Sequence, residues 1–245
     1  MKSLSLSFFL LLFLNINFAQ VRELEPQIQE GFNISPAGIA QFEKDKATYQ
    51  KLLKSDIPFA NRSEEEQNIL MDELKFEAGP FYSGVLGCSW YCATGPSAYK
   101  ASSELTASRV STYAAANIHD FDLQTAWVEG KKDYGIGEEI DIRFDHLGDR
   151  LKVTHLEIHN GYCKSEKAWK ENSRVKQMAF YVNGELFGKL NLADTYQKQI
   201  FEIGKLGGKS EEKLTLTFRI LEVYPGAKYK DTAISEINFD GEGDH

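Results

Sequence analysis

The 245-residue chain carries 36 Asp and Glu against 28 Lys and Arg, a formal net charge of −8. That balance excludes the basic surface nucleic acid requires and offers no attraction to an anionic membrane face. Three cysteines are too few for a disulfide scaffold, while the length holds one large domain able to bury a core, plus an appendage.

Met1-Lys2-Ser3 is followed by a run of low polarity from Leu4 to Phe18, then Ala19 and Gln20. An early Lys, an apolar core of about 7–15 residues and a small residue at the cut describe a secretory signal peptide over residues 1–19. The run is shorter than the roughly 20 residues that cross a bilayer, so it reads as a cleaved leader rather than an anchor. No later stretch is long and apolar enough to span. The expectation is an exported protein, periplasmic or extracellular, with no membrane insertion.

Residues 20–78 read as an N-terminal helical segment. Gln20 to Ser35 has no period and reads as an irregular leader. Ser35-Pro36 caps and opens a helix, and Ile39, Phe42, Tyr49, Leu52 and Leu53 share its apolar face. Asn61 or Ser63 caps a second helix, with Glu64, Glu65 and Glu66 favourable in its first turn and Ile69, Leu70 and Leu74 as its stripe. The pair is expected to dock on the main domain, residues 79–245.

Glu77 to Pro96 has the composition of a loop, with four glycines, two prolines and the cluster Cys88-Ser89-Trp90-Tyr91-Cys92. In an oxidising compartment Cys88 and Cys92 can bridge locally and leave Cys163 alone; Cys163 can instead pair with either. A structural zinc needs four ligands, and no fourth is in evidence.

After Ala98 the pattern turns to β. Ile140, Ile142 and Phe144 alternate on one face of Glu138–Phe144, and a change of parity between Val153 and Leu156 predicts a bulge. Val175–Val182 ends at Asn183-Gly184, a two-residue hairpin signal, with Leu186–Leu192 returning. Lys213–Val223 alternates most clearly, and Ala233–Phe239 closes the set. Many short alternating strands mean a sandwich or barrel, so the fold class is all-β with a small helical segment before it.

Catalytic signals are weak. Tyr91 breaks a nucleophile-elbow pattern around Ser89. His155 and His159 lie about 13 Å apart on a strand and make no metal pair. Tyr134-Gly135-Ile136-Gly137 reads as a turn, not a phosphate fingerprint. Cys163 has no identifiable base, and a buried or paired thiol is the simpler account.

Three stretches carry a resemblance: Ala101 to Gly130, which includes Asp120-Phe121-Asp122 and Trp127; Asn160 to Val175, which includes Trp169; and Val223 to Ile237. Together with the Cys88–Cys92 cluster, these resemble the bacterial NAD-glycohydrolase-type glycan-binding, or translocation, domain of the coagulation-factor type C, discoidin-like, galactose-binding-domain-like superfamily. The resemblance implies an eight-stranded jelly-roll β-sandwich that binds through loops at one end. The NAD-hydrolysing activity of such relatives lies in a separate domain that nothing here matches, so the expectation is a non-catalytic chain. Asp120, Asp122, Thr125 and Glu236, with the carbonyl of His119, resemble the calcium loop of discoidin-like carbohydrate-binding modules. Calcium takes about 6–8 oxygen ligands in flexible geometry, which such a set can begin to supply. Phe121 departs from the pattern, standing where a Gly is usual.

Sugar sites pair an aromatic face with planar polar groups. Trp90 and Tyr91, on a Gly-rich loop, offer such a platform, although Trp90 also reads as a plug for the sandwich end. Trp127 reads as core. Trp169 lies among Lys164, Glu166, Lys167, Lys170 and Arg174 and reads as exposed. Tyr134, Tyr224, Lys228 and Tyr229 fall in other loops. The expectation is one shared glycan site drawn from Trp90, Tyr91, Tyr134, Lys164, Trp169, Arg174, Tyr224 and Tyr229, for a glycan or surface glycoconjugate. A protein partner docked on the same loops is the competing reading.

Overall fold

The computed structural model describes residues 21–31, 33–87, 89–145, 147, 150–207 and 213–243; the predicted signal peptide lies outside them. Among the described residues eleven strands, β1 (Glu23–Leu24), β2 (Gln27–Gln29), β3 (Ala98–Ala101), β4 (Trp127–Val128), β5 (Glu139–Phe144), β6 (Lys152–Asn160), β7 (Ser173–Val182), β8 (Glu185–Asn191), β9 (Lys198–Leu206), β10 (Leu214–Tyr224) and β11 (Thr232–Glu242), build a β-sandwich. Four helices, α1 (Pro36–Leu52), α2 (Glu64–Met71), α3 (Glu73–Ala78) and α4 (Glu166–Glu171), accompany them.

Alternation sets the core. In β10, Leu214, Leu216, Phe218 and Ile220 are buried. They lie in antiparallel register with β5, whose Ile140, Ile142 and Phe144 are fully buried, and with β7. One layer runs β1-β8-β7-β10-β5-β3 and the other β2-β9-β6-β11, with β4 on β11. The layers meet at one corner, where β11 and β7 run parallel through Thr232–Ser173 and Ala233–Arg174 alone. From Glu236 onward β11 parts company and pairs with β6. The expected hairpin turn holds Asn183 at φ 50° and Gly184 at φ 84°, the conformation that Asn-Gly favours. The expected bulge falls between Val153 and His155, on the pairing with β9.

Three findings differ from the sequence reading. The stretch read as an irregular leader forms β1, parallel to β8, and β2, antiparallel to β9. Strands of two and three residues are too short to show a period; the sheet edges make them. Strand β9 was not foreseen, because adjacent Ile200 and Phe201 blur the alternation that buries Gln199, Phe201 and Ile203. Leu53 and Leu74, read as apolar-face residues, are 55% and 51% exposed. The second helix breaks at Asp72, so α3 starts a new register and buries Phe76 against Phe42 and Tyr49, with ring centroids 5.7 and 5.2 Å away. The caps follow the sequence: Ser35 accepts from Gly38 N–H, and Ser63 forms a reciprocal capping box with Glu66.

The N-terminal strands cover the outer edges of β8 and β9, and Leu24 joins the main core. Uncovered edges are unstable and sticky. Removing residues 21–30 is therefore expected to lower Tm by about 5 °C or more, the shift roughly 2 kcal/mol makes in a domain of this size. It should also increase self-association. Unchanged melting by calorimetry would contradict this role.

Candidate functional site

Every residue of β11 from Thr232 to Phe239 is buried. Ile237 and Phe239 enter the core, while Glu236 and Asn238, two residues apart, share a face. Two loops roof that face. Residues 79–84 bridge to the Asp120 loop through Tyr82–Asp122 pairing, Ser83 N–H to Phe121 O (3.1 Å) and Leu123 N–H to Phe81 O (2.9 Å). A 3₁₀ turn at Ala115–His119, with Ala115 and Ile118 buried, delivers the chain to Asp120.

Within this loop Asp120 Oδ1 accepts from Asp122 N–H (3.0 Å) and its Oδ2 from the Thr125 hydroxyl (2.7 Å). Asp122 Oδ1 accepts from Gln124 N–H (2.9 Å). Phe121 adopts φ 62°, the left-handed region that explains why a Gly is usual there. Its ring compensates by packing on His119, Tyr91 and Tyr82, with centroids 4.8, 5.2 and 6.1 Å away. His119 sets its Nδ1 3.1 Å from Ile237 O, and burial lowers its pKa to about 4, so the ring is neutral and donates to that carbonyl.

Glu236 is fully buried, and neither carboxylate oxygen has a hydrogen-bond partner of good geometry. Burial, and then the neighbouring Asp120, hold its pKa well above the usual carboxylate range. A buried carboxylate facing a second one is costly unless a proton or a cation compensates. Among the described residues no three His, Cys, Asp or Glu groups cluster as a metal site. A cation here would therefore rest on Asp120, Glu236 and Thr125, completed by backbone carbonyls such as that of His119. This all-oxygen donor set and the orphaned Glu236 fit a hard cation.

The structure places the predicted glycan contacts in different surroundings, some buried and some exposed. Trp90 is 5% exposed and meets Phe144 edge-on at 6.1 Å, so it plugs the sandwich end instead of facing a ligand. The Tyr91 hydroxyl accepts from Phe239 N–H (2.6 Å) and anchors β11. Cys88 lies outside the described residues, and the Cys88–Cys92 pairing with it. Cys163 is fully buried, with its thiol pushed up to about 12 by burial. Trp169, in α4, donates to Asn160 O (2.8 Å) and lies beneath the guanidinium of Arg174 at 4.5 Å. Arg174 is 7% exposed and engages Asp194 through two bonds of 2.8 and 3.0 Å. Trp169 and Arg174 thus brace each other. The Tyr224 hydroxyl donates to Leu192 O (3.0 Å), and Lys164 lines a separate hollow of 540 Å³ between the start of α1 and α4.

Two aromatics remain at the surface of the β11–β7 corner. Tyr229 is 41% exposed, with Lys228 Nζ 4.6 Å from its ring centroid, and its carbonyl accepts from Ser173 Oγ (3.1 Å). Tyr134 is half-buried, with Lys230 Nζ 5.6 Å from its ring, and its carbonyl accepts from Thr232 Oγ (2.9 Å). The sequence reading missed the residue that organises this corner, Glu129. Fully buried, it accepts from Thr232 N–H (3.1 Å) and Lys131 N–H (2.7 Å) and packs against Gly135 at φ 65°. Its position directly after Trp127-Val128, before a Gly-rich turn, was the available signal.

These placements separate structural aromatics from exposed ones. Trp90→Ala is expected to cost about 3–5 kcal/mol as a large core truncation. Tyr229→Ala should stay within about 0.5 kcal/mol of the parent in urea unfolding. Equal losses would contradict the assignment.

Nineteen chains of known structure match. One is the arabinofuranosyltransferase AftD from Mycobacteria, at 15% identity and a TM-score of 0.42, covering 60% of this chain but 11% of that one. Another holds the CBM32-1, CBM32-2 and M60 catalytic domains of ZmpB from Clostridium perfringens, at 11% identity and a TM-score of 0.42, covering 83% and 21%. A third is the C-terminal domain of a chitobiase from Bacteroides fragilis, at 15% identity and a TM-score of 0.37, covering 62% and 96%. No curated protein matches. The sequence matches the NAD glycohydrolase translocation F5/8 type C domain over residues 90–240, more than half of its length, and the chain belongs to that family.

Proposed function

We propose that this chain is an exported, non-catalytic carbohydrate-binding module that meets its glycan at the β11–β7 corner. The observation that carries the reading is the exposed Tyr229 ring on a backbone pinned by Ser173, beside Lys228 and near the Tyr134–Lys230 pair. Such faces stack on sugar C–H groups while ammonium donors take hydroxyls. Buried residues fix both loops, so little ordering entropy is lost on binding. Four groups that could do chemistry are held by burial instead: Cys163 and Glu236 have no exposed surface, and burial lowers the pKa of His119 and His159 to about 4.

Calcium is part of this proposal as a structural ion. Asp120, Thr125 and Glu236, with backbone carbonyls of the loop, would hold it, and Asp122 would order the loop through Gln124. Its charge would neutralise the Asp120–Glu236 pair and fix the roof over β11.

Two measurements test these points. On a glycan array, Tyr229→Ala or Tyr134→Ala should weaken binding about tenfold, roughly 1.4 kcal/mol, while Tyr224→Ala leaves it unchanged. A folded protein that binds no glycan but retains one protein partner would overturn the reading. For the ion, the sign follows from Glu236, whose folded pKa is raised. Without calcium its contribution is full below the unfolded value of about 4.3 and is lost as pH rises through the folded value. Calcium should therefore raise Tm more at about pH 7.5 than at about pH 5, where the proton competes. An increment independent of pH, or none, would contradict this site.

A further inference from the structure

A cleft of 460 Å³ opens where the helical segment meets the sandwich, between β2, α1, the 79–84 loop and the faces of β6 and β9. It lies behind the Asp120 loop, reaching Leu123, and involves neither Tyr134 nor Tyr229. Ligand sites favour such seams between units and volumes of about 300–1,000 Å³. Three amide side chains line it, Gln29, Asn33 and Gln41, and two aromatic rings, Phe42 and Tyr82. Tyr82 is 39% exposed, so its ring is offered to the opening.

The charges select the ligand. Glu30 and Asp45 contribute carboxylates to the lining. The two lysines there, Lys75 and Lys198, balance them in number, and each also holds an acid outside the cleft, Asp72 at 2.9 Å and Glu157 at 2.7 Å, so the lining offers no net charge to draw an anion or a cation. His159 at the floor is 2% exposed, and its Nδ1 faces Tyr196 O at 3.2 Å. Gln41 Nε2 donates to Asp45 Oδ1 (2.7 Å) and Asn33 Oδ1 accepts from Ser35 N–H (3.0 Å), which holds both amides in place; with Gln29, their remaining amide atoms and the carboxylate oxygens, beside the exposed Tyr82 ring, recognise a neutral polyol.

We propose that this cleft is a second ligand site, for a neutral pyranose of one or two rings, independent of the β11–β7 corner. It depends on the N-terminal segment packing against the sandwich, since Gln29, Asn33, Gln41 and Phe42 come from that segment.

The test is a titration of the full mature chain with methyl β-galactopyranoside and with N-acetylglucosamine, followed by amide chemical shifts. Glucuronic acid and glucosamine serve as charged controls. The expected result is a set of shifts at Gln29, Gln41, Tyr82 and Leu123 with a neutral sugar and none with glucuronic acid. Gln29→Ala and Gln41→Ala, both at exposed positions, should each weaken binding by about fivefold, the loss of one hydrogen bond. Tyr229→Ala should leave it unchanged. Shifts confined to the corner, binding that survives both Gln substitutions, preference for the charged controls, or no binding of either neutral sugar would each overturn the second site. Retained cleft binding with corner binding absent would overturn only the reading of the corner.

Discussion

Strand β11 is buried on both faces from Thr232 to Phe239, and most of this molecule is arranged around that fact. Its inner residues, Ile237 and Phe239, complete the core built by β5, β6, β7, β9 and β10. Its outer residues need a roof, and the loops at 79–84 and 119–125 provide one. Its first two residues join the layers by pairing with β7. The same strand thus supports the acidic pocket at Glu236 and, through Thr232, the loops that present Tyr134 and Tyr229.

The energetic tension of the roof is concentrated at Glu236. A neutral residue there would pack at lower cost, since a buried carboxylate without partners is penalised by desolvation. Burial of its orphaned oxygens beside Asp120 raises its pKa, and a proton or, under the proposal above, a cation would relieve them. The tolerance of Phe121 at a left-handed φ has a matching explanation. Ring contacts with His119, Tyr91 and Tyr82 hold a backbone that Gly would adopt unaided.

The sandwich was legible because its strands alternate cleanly, above all β5 and β10, and because Asn183-Gly184 fixes a hairpin. The helix caps at Ser35 and Ser63 were legible for the same local reason. What escaped was decided by tertiary context. Strands β1 and β2 exist because sheet edges capture them, and Phe76 is buried because a helix breaks at Asp72. The acidic loop, with Glu236 in its ligand set, was readable as a cluster of residue types, but the complete burial of Glu236 was not, because it depends on the two loops that roof β11. For the aromatics, residue type was a poor guide. Trp90 and Trp169 sit in Gly-rich or polar stretches, yet the first is core and the second is spent on Asn160 and Arg174. Polar neighbours in sequence do not mean exposure when a long side chain can reach a carbonyl or a guanidinium.

The central claim is that the β11–β7 corner is the contact surface for glycan. Hydrogen–deuterium exchange of the mature protein, with and without the tightest glycan ligand from an array, tests it most directly. The account predicts added protection across residues 129–137 and 224–231, with the segment around Trp90 unchanged. Protection centred on the Trp90 loop or on α4, with the corner unaffected, would contradict it.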